Sequence, residues 1–394
     1  MIEIEDLTGD FADFLAETFN RKPQFRERAL PNVAEDLMGV EDFDDLLHSE
    51  TIKFPYFKIN LNGQGVPEQG YTRDIVVQGE TQTRVVDPEK AAALYRAGGT
   101  LTWASINHYN SKVRAFTRMV AEHMCVRVDA VGFMTPAGKK GYPAHHDGVD
   151  LFIVQLSGSK RWRLWDVADD RRAESASYDE DKLGAPVIDR ELKAGDVLYL
   201  PYGTPHQAMA LDEPSLHLSV MMRPRMWRHL LEDLVSDALD SIGAMEYPPL
   251  AKVADGVIVD EFRETIDALL DELRSVDVAE AWEHAREHGR HLLGGSAGNV
   301  LANSVRESSL TSQTLLRRNS RDASFSAMTD GRTMLESGGL RFALETALAR
   351  RVENIPTGTD VVPSELIGDD ASPERVAALT KALVRLGAFE PVQG

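Results

Sequence analysis

The spacing of apolar residues changes twice along this chain of 394 residues. The acidic residues 1–50 place side chains such as Phe11 and Phe14 at helical spacing. From about residue 126 to 222, short β-rich runs alternate with Gly, Pro and Asp, and beyond Arg223 helical spacing returns. Closely spaced short strands with turn residues between them predict a small barrel or double-sheet jelly roll, flanked by helical segments.

Two helices are predicted just before the β-rich region. Asp87 is a good N-cap, Pro88 suits the first helical turn, and the pair Gly98-Gly99 ends the helix. A second helix begins near Ser111. Upstream of both, residues 54–86 combine Gly, Pro and alternating β-branched positions, which is typical of short strands and loops.

One predicted strand places a lysine among apolar residues. Residues Lys160, Trp162 and Leu164 alternate along this strand and therefore share one face. Trp162 and Leu164 favour the barrel interior, which draws Lys160 inward with them. A buried ammonium needs an anion. The alternative is that Lys160 lies at the strand end and extends to water, and the spacing alone leaves both interpretations open.

The region after the barrel is helical at first and ends in a further helix. Phe262, Ile266, Leu269, Leu270 and Leu273 form an apolar stripe, which suits either a protein core or a dimer interface. Residues 294–326 are rich in Ser, Gly and Asn, so we expect a linker or loops there. The final helix is predicted to begin at Ser372-Pro373 and to end at Gly387, with Val376, Leu379 and Leu383 on its apolar side.

Composition excludes several classes of protein. The chain has 43 Lys and Arg against 63 Asp and Glu, a formal charge of −20, which argues against nucleic acid as a partner. The acidic surface either attracts basic partners or only aids solubility. Its one cysteine excludes an intramolecular disulfide and a cysteine-based zinc site. No apolar run approaches the length of a membrane span, and the N-terminus lacks a signal pattern, so we expect a cytoplasmic protein with no membrane partner.

Three side chains form a candidate metal site. His145 and Asp147 are two residues apart, so on a strand they share a face, whereas His146 points to the opposite side. His206 follows a Pro- and Gly-rich corner after another strand. Two imidazoles and one carboxylate hold a ferrous ion on one face and leave the other face open. The His-x-Asp motif alone is weak, because about one is expected by chance in such a chain.

The surrounding residues strengthen that motif. Residues 135–162, TPAGKKGYPAHHDGVDLFIVQLSGSKRW, resemble the Jumonji-C ribosomal oxygenases, which are cupin-like 2-oxoglutarate-dependent protein hydroxylases. Residues 194–206, AGDVLYLPYGTPH, resemble the second motif region of the cupin superfamily. The resemblance covers residues 50–225 well and the rest only in general layout.

The resemblance implies an α+β fold with three domains. The first, residues 1–225, is a double-stranded β-helix (a jelly-roll or cupin barrel) with N-terminal helices. The helical residues 226–293 correspond to a dimerisation region, and residues 294–394 to a C-terminal winged-helix-like domain. A homodimer is therefore expected.

The resemblance also implies residue roles. His145, Asp147 and His206 would bind Fe(II), and Lys160 the distal carboxylate of 2-oxoglutarate, which favours the buried interpretation of Lys160. Thr135 falls in the strand that lines the same pocket. His217 is a further candidate for co-substrate binding, although a hydrogen-bonded core histidine fits equally well.

One position departs from the family pattern. Some relatives carry a tyrosine two positions before the Thr-Pro pair, where its hydroxyl helps to bind 2-oxoglutarate. Phe133 stands at that position here. The polar contacts of the co-substrate must therefore differ in this chain, or its binding must be weaker.

The function expected from these residues is that of an Fe(II)- and 2-oxoglutarate-dependent dioxygenase. With O2 it would hydroxylate an amino-acid side chain in a protein or peptide, a basic or ribosomal protein being favoured. Demethylation is the same chemistry on an N-methyl carbon. The alternatives are a free amino acid or small metabolite as the substrate, or a non-catalytic metal-binding cupin regulator.

Overall fold

A computed structural model describes residues 2–167, 174–223, 226–244, 255–282, 300–318, 324–337, 340–356, 359–367 and 371–392. The chain divides into two compact units, residues 1–293 and 294–394. Within the described part of the chain, no helix combines the length and the apolar character needed to cross a lipid bilayer.

The first unit contains helices on both sides of a β-rich centre. Its helices are α1 (Ile4–Thr8), α2 (Phe11–Asp13), α3 (Val33–Asp36), α4 (Val40–Leu47), α5 (Pro88–Arg96), α6 (Ser111–Met124), α7 (Trp227–Ser241) and α8 (Asp255–Ser275). Its strands are β1 (Gln24–Arg26), β2 (Phe57–Leu61), β3 (Gln64–Gly65), β4 (Thr72–Val77), β5 (Glu80–Val86), β6 (Thr100–Trp103), β7 (Val128–Thr135), β8 (His145–His146), β9 (Asp150–Ser157), β10 (Ser159–Leu164), β11 (Ala176–Ser177), β12 (Ile188–Lys193), β13 (Val197–Leu200), β14 (His206–Ala210) and β15 (Ser215–Met222).

Two antiparallel sheets form the jelly roll that the strand pattern predicts. The larger sheet has the order β1-β13-β9-β15-β7-β6-β2-β3 and the smaller one β11-β8-β14-β10-β12. The strand β4 pairs with β5 in a separate hairpin. The observed fold confirms the predicted α+β class with a cupin-type barrel.

The strand β9 is apolar on both faces because it separates two cores. Leu151 and Ile153 face the barrel interior, where they pack with Trp162 and Leu164 of the smaller sheet. The alternate residues of β9 face outward and join a larger core with the N-terminal helices and α6. A strand that is buried on both sides reads as a continuous apolar run, which explains the pattern LFIVQL in the sequence.

The two predicted helices that precede the barrel are present. The Asp87 side chain accepts hydrogen bonds from the backbone N–H groups of Glu89 and Lys90, and so caps α5. The Asn110 side chain caps α6 in the same way. Both caps satisfy backbone donors that have no partner within the helix.

The apolar stripe predicted beyond the barrel lies on α8, which packs against α7. Phe262, Ile266 and Leu270 are 65%, 41% and 42% exposed. The interpretation of this stripe as ordinary core is therefore wrong for these three residues, and an open apolar face remains.

The second unit has its own core and mixes short helices with two small sheets. Its elements are α9 (Val300–Arg306), β16 (Leu316–Arg318), β17 (Ser324–Ala327), β18 (Arg332–Ser337), β19 (Leu340–Glu345), α10 (Thr346–Glu353), β20 (Asp360–Val361), α11 (Pro363–Ile367), α12 (Pro373–Arg385) and β21 (Phe389–Pro391). The strand orders are β20-β16-β21 and β17-β18-β19.

Two sequence predictions for this unit have different outcomes. Ser372 caps α12, and Val376, Leu379 and Leu383 of this helix are buried, as predicted. The prediction of a linker or loops over residues 294–326 is wrong for α9 and β16 and for the start of β17, whereas residues 310–315 contain no helix or strand. Burial of Leu316 in the core of the unit gives the polar segment a fixed position.

Candidate metal and co-substrate site

The pairing of two short strands brings the three predicted metal ligands together. His145 on β8 lies directly opposite His206 on β14, and the centroids of their rings are 4.4 Å apart. Asp147 follows β8, and its Oδ2 lies 3.9 Å from Nε2 of His145 and 3.8 Å from Nε2 of His206. The three side chains offer ligand atoms that all lie within 4.8 Å of one another.

Backbone carbonyls select the tautomer of both imidazoles. Nδ1 of His145 lies 2.8 Å from the carbonyl oxygen of Pro143, and Nδ1 of His206 lies 3.0 Å from that of Thr204. A carbonyl oxygen only accepts, so each Nδ1 carries the hydrogen and each Nε2 keeps its lone pair toward Asp147.

The donor set fits a divalent transition metal. Burial is the main cause that lowers the pKa of His206 to about 4, so its imidazole is neutral near pH 7. A neutral imidazole can ligate a metal, whereas an imidazolium cannot. Two His and one carboxylate on one side of an open cavity are the ligands typical of a non-haem Fe(II) site.

His146 is excluded from this site, as the strand alternation predicts. Its Nδ1 lies 2.6 Å from the Tyr178 hydroxyl and its Nε2 lies 2.6 Å from the carbonyl oxygen of Glu174. Both ring nitrogens are therefore engaged on the opposite face of β8.

Lys160 lies in the barrel interior. Lys160 is only 3% exposed, so the interpretation in which its side chain extends to water is wrong. Nζ donates a hydrogen bond to Oγ1 of Thr135 at 3.1 Å, and the described residues give it no carboxylate partner. Burial lowers the pKa of Lys160 from 10.5 to about 7. A small anion in the cavity would supply the missing charge.

One cavity joins Lys160 to the metal ligands. It opens to the surface, and its empty volume, with the solvent at its mouth included, is about 460 Å³. The lining residues are Thr100, Phe133, Gly141, Tyr142, His145, Asp147, Leu151, Lys160, Trp162, His206, Ala208, His217 and Ser219. Thr135 lies directly behind the wall, where it accepts the hydrogen bond from Lys160.

His217 lines the same cavity. Its ring stacks on Phe133 with a centroid distance of 4.9 Å and an interplanar angle of 7°, and it meets the Trp162 ring edge-on. Among the described residues, Nδ1 of His217 and Nε1 of Trp162 have no hydrogen-bond partner although both are buried. Burial and the nearby Lys160 hold the pKa of His217 well below its usual value. These polar atoms suit a ligand with polar groups.

Sequence reasoning missed Thr100, Thr102 and Tyr142. Thr100 donates to Thr135 at 3.4 Å, and the Tyr142 hydroxyl lies 3.0 Å from Oγ1 of Thr102. Burial raises the pKa of Tyr142 above its usual value. The alternation of Thr100 and Thr102 was the one sequence pattern that pointed to these residues. It indicates a place in the cavity wall only when β6 is known to pair with β7.

A cluster of polar residues holds the segment after β11 against the strands β10 and β14 of the smaller sheet. Glu180 forms ion pairs with Lys140 at 3.3 Å and with Arg163 at 2.6 Å, and it also accepts a hydrogen bond from Gln207. Gln207 follows the metal ligand His206 directly along β14. The cluster therefore ties this segment to the strand that carries a ligand.

Comparison with protein families and curated proteins places this site in a known context. The JmjC domain family matches residues 105–230. Ribosomal oxygenase 1 from Gallus gallus is 31% identical over 234 residues, which are 58% of this chain and 37% of that protein. The bifunctional lysine-specific demethylase and histidyl-hydroxylase NO66 from Drosophila melanogaster is 32% identical over 154 residues, 38% of this chain and 24% of that protein. This chain spans less than half the length of these curated relatives.

Solved structures share the fold over almost the whole chain. The X-ray structure of E. coli ycfD has a TM-score of 0.58 at 20% identity and covers 98% of both chains. A structure of YcfD, a ribosomal oxygenase from Escherichia coli, in complex with cobalt and 2-oxoglutarate has a TM-score of 0.55 at 19% identity, again over 98% of both chains.

The matched range contains the three metal ligands, Lys160 and His217. The resemblance read from residues 135–162 is thereby confirmed. Residues 105–230 of this chain match the JmjC domain family, and the chain is similar to the ribosomal oxygenases.

Proposed function

We propose that this protein is an Fe(II)- and 2-oxoglutarate-dependent dioxygenase that hydroxylates an amino-acid side chain in a protein or peptide. The observation that carries the proposal is a single cavity. It holds two imidazoles and a carboxylate at one end and, at the other, a buried ammonium that has no carboxylate partner among the described residues. A dicarboxylate that also ligates a metal satisfies both ends at once.

His145, Asp147 and His206 would hold the Fe(II). Bound iron, with 2-oxoglutarate and O2, supplies the oxidising power that adds oxygen to a C–H bond. The chain itself orients the ligands: the carbonyls of Pro143 and Thr204 fix both rings. The Asp147 carboxylate contributes the negative charge that a divalent ion needs.

Lys160, Thr135 and His217 would bind the co-substrate. The Lys160 ammonium attracts the distal carboxylate, and its hydrogen bond to Thr135 holds it in place. His217 places a buried ring nitrogen at the same cavity. The rings of Phe133 and Trp162 exclude water from the aliphatic part of the ligand, which strengthens its polar contacts.

The relatives suggest which substrates to try first. Their names describe a histidyl-hydroxylase and a ribosomal oxygenase. The net charge of −20 favours a basic partner. Histidine-containing peptides from ribosomal proteins are therefore the first candidates.

A turnover assay tests the proposal. With Fe(II), 2-oxoglutarate, O2 and such peptides, we expect succinate by NMR and a peptide that gains the mass of one oxygen. His145→Ala and Asp147→Ala should abolish both signals, whereas His146→Ala is the matched control because His146 faces away from the site. Succinate formation that persists in His145→Ala and Asp147→Ala would contradict the proposal. Oxygen gain on a free amino acid alone would keep the oxygenase but overturn the polypeptide substrate.

We further propose that residues 226–293 mediate homodimerisation. Trp227 and Leu231 on α7 are 74% and 58% exposed, and α8 adds the exposed Phe262. Exposed large apolar side chains grouped on adjacent helices favour a protein–protein contact. Residues 294–394 remain proposed as a winged-helix-like domain, and a cytoplasmic location stays a prediction.

Light scattering tests the dimer. We expect a dimer mass for the native chain and a monomer for Phe262→Asp. Val76→Asp, which changes a similarly exposed valine on β4, is the control and should leave the mass unchanged. A native chain that is monomeric at micromolar concentration contradicts this part of the proposal.

A further inference from the structure

The segment between β7 and β8 lies in a defined position against both sheets. On one side, the backbone N–H of Gly138 donates to the carbonyl oxygen of Leu211 at 2.7 Å, next to the end of β14. On the other side, a Cβ at Gly141 would lie 3.4 Å from the Thr100 side chain on β6. The next residue, Tyr142, therefore lies against β6, where its hydroxyl contacts Thr102.

Tyr142 lines the cavity next to two other rings. Its ring meets the Phe133 ring edge-on at a centroid distance of 6.1 Å and lies 6.0 Å from the His145 ring. Phe133 has no polar atom to offer. The hydroxyl of Tyr142, held 3.0 Å from Oγ1 of Thr102, adds a polar group to this part of the cavity wall.

Two hydroxyl pairs lie side by side along β6. Thr100 and Thr102 share a face of the strand, and two strand residues span about 6.6 Å. Thr100 donates to Thr135, which also accepts from Lys160. Oγ1 of Thr135, which lies behind the cavity wall, therefore accepts twice. Where Thr102 donates to Tyr142, which lines the cavity, the phenol keeps its hydrogen for a ligand.

A carboxylate buried beside Lys160 needs more donors than the ammonium alone. A carboxylate offers about four acceptor positions, and buried acceptors are normally satisfied. Resting on the proposed function, we propose that the Tyr142 hydroxyl donates to a carboxylate oxygen of the dicarboxylate that Lys160 holds. Thr102 is its positioning residue. Tyr142 thus supplies the hydroxyl that Phe133 cannot.

Calorimetric titration of 2-oxoglutarate into the Mn(II)-loaded full chain tests this, because it measures binding without turnover. Tyr142→Phe removes only the hydroxyl and should weaken binding roughly ten- to hundredfold, the range for a hydrogen bond to a charged group. Thr102→Val should weaken binding in the same direction, and Thr102→Ser, which keeps the hydroxyl, should bind like the native chain. Tyr56→Phe, a half-exposed tyrosine outside the cavity, is the matched control.

The outcomes separate the two proposals. If Lys160→Met abolishes binding but Tyr142→Phe binds like the native chain, the role of Tyr142 is overturned and the proposed function stands. If Tyr142→Phe raises only the KM of the peptide and leaves 2-oxoglutarate affinity intact, the role is also overturned, since the hydroxyl then serves the substrate. If the native chain binds no 2-oxoglutarate, both proposals fail. Thermal melts of all variants exclude loss of fold as the cause.

Discussion

Lys160 lowers the stability of the fold at a position that suits the binding of an anion. Its ammonium is buried beside a hydroxyl and has no carboxylate partner among the described residues. Transfer of a charge out of water is unfavourable unless a partner compensates for it. The pKa lowered to about 7 expresses that cost. Without a bound anion, this position therefore destabilises the fold that carries it.

Replacement of Lys160 by methionine should stabilise the metal-free, ligand-free chain. The pKa is 10.5 in the unfolded chain and about 7 in the fold, so between these values the unfolded state binds more protons. The free energy of unfolding of the native chain therefore rises with pH across this window. We expect Lys160→Met to be the more stable chain below about pH 7, with a difference that shrinks toward pH 10.5.

Urea unfolding of both chains at pH 6.5, 8 and 9.5 measures this difference. Lys58→Met, which changes an exposed lysine on β2, controls for the loss of a positive charge. A difference that stays constant over the three pH values would show that the ammonium is not desolvated as the structure indicates.

The turn that connects β9 of the larger sheet to β10 of the smaller sheet positions this lysine. The strands join at Gly158, whose φ is +63°, a conformation that favours glycine. A Cβ there would lie 1.8 Å from the carbonyl oxygen of Pro214, which precedes β15. The turn is thus packed against the strand that carries His217. Its shape places Lys160 opposite Leu192 on β12 and Ala210 on β14.

Gly158→Ala should destabilise the first unit by about 3 kcal/mol or more, because strain at positive φ adds to a backbone clash. Gly63→Ala is the matched control. Gly63 also has positive φ, at +80°, but no atom of the described residues lies within 4 Å of its Cβ position. Gly63→Ala should lower the free energy of unfolding by about 1 kcal/mol. Chemical denaturation measures both values, and equal losses in the two variants would refute the packing argument.

The molecule as a whole consists of two compact units with separate cores. The core of residues 294–394 includes Leu316, Leu383 and Phe389, which are all fully buried. The barrel and its helices form another core in residues 1–293. Units with a core of their own usually fold independently.

Residues 294–394 should therefore fold when produced alone. We expect a cooperative urea transition by circular dichroism, which Leu383→Asp abolishes because it places a charge in the core. Residues 1–293 alone should keep 2-oxoglutarate binding, since every residue of the cavity lies within them. A fragment 294–394 without a cooperative transition would show that its core depends on the rest of the chain.

The sequence alone determined what depends on near neighbours. Alternation along a strand placed His145 and Asp147 on one face and His146 on the other. It also put Lys160 on the same face as Trp162, but the spacing alone did not decide whether Lys160 is buried. The caps of α5 and α12 were equally predictable, because a cap is a contact within a few residues. Such local geometry repeats wherever the same residue types recur.

Only the tertiary structure decided which distant residues meet. Thr102 and Tyr142 are 40 positions apart, and their contact depends on where the β7–β8 segment crosses β6. The segment 294–326 reads as a linker, yet burial of Leu316 orders part of it. The same apolar spacing suits a core helix and the open face of α8, because periodicity shows which side of a helix is apolar but not what covers it.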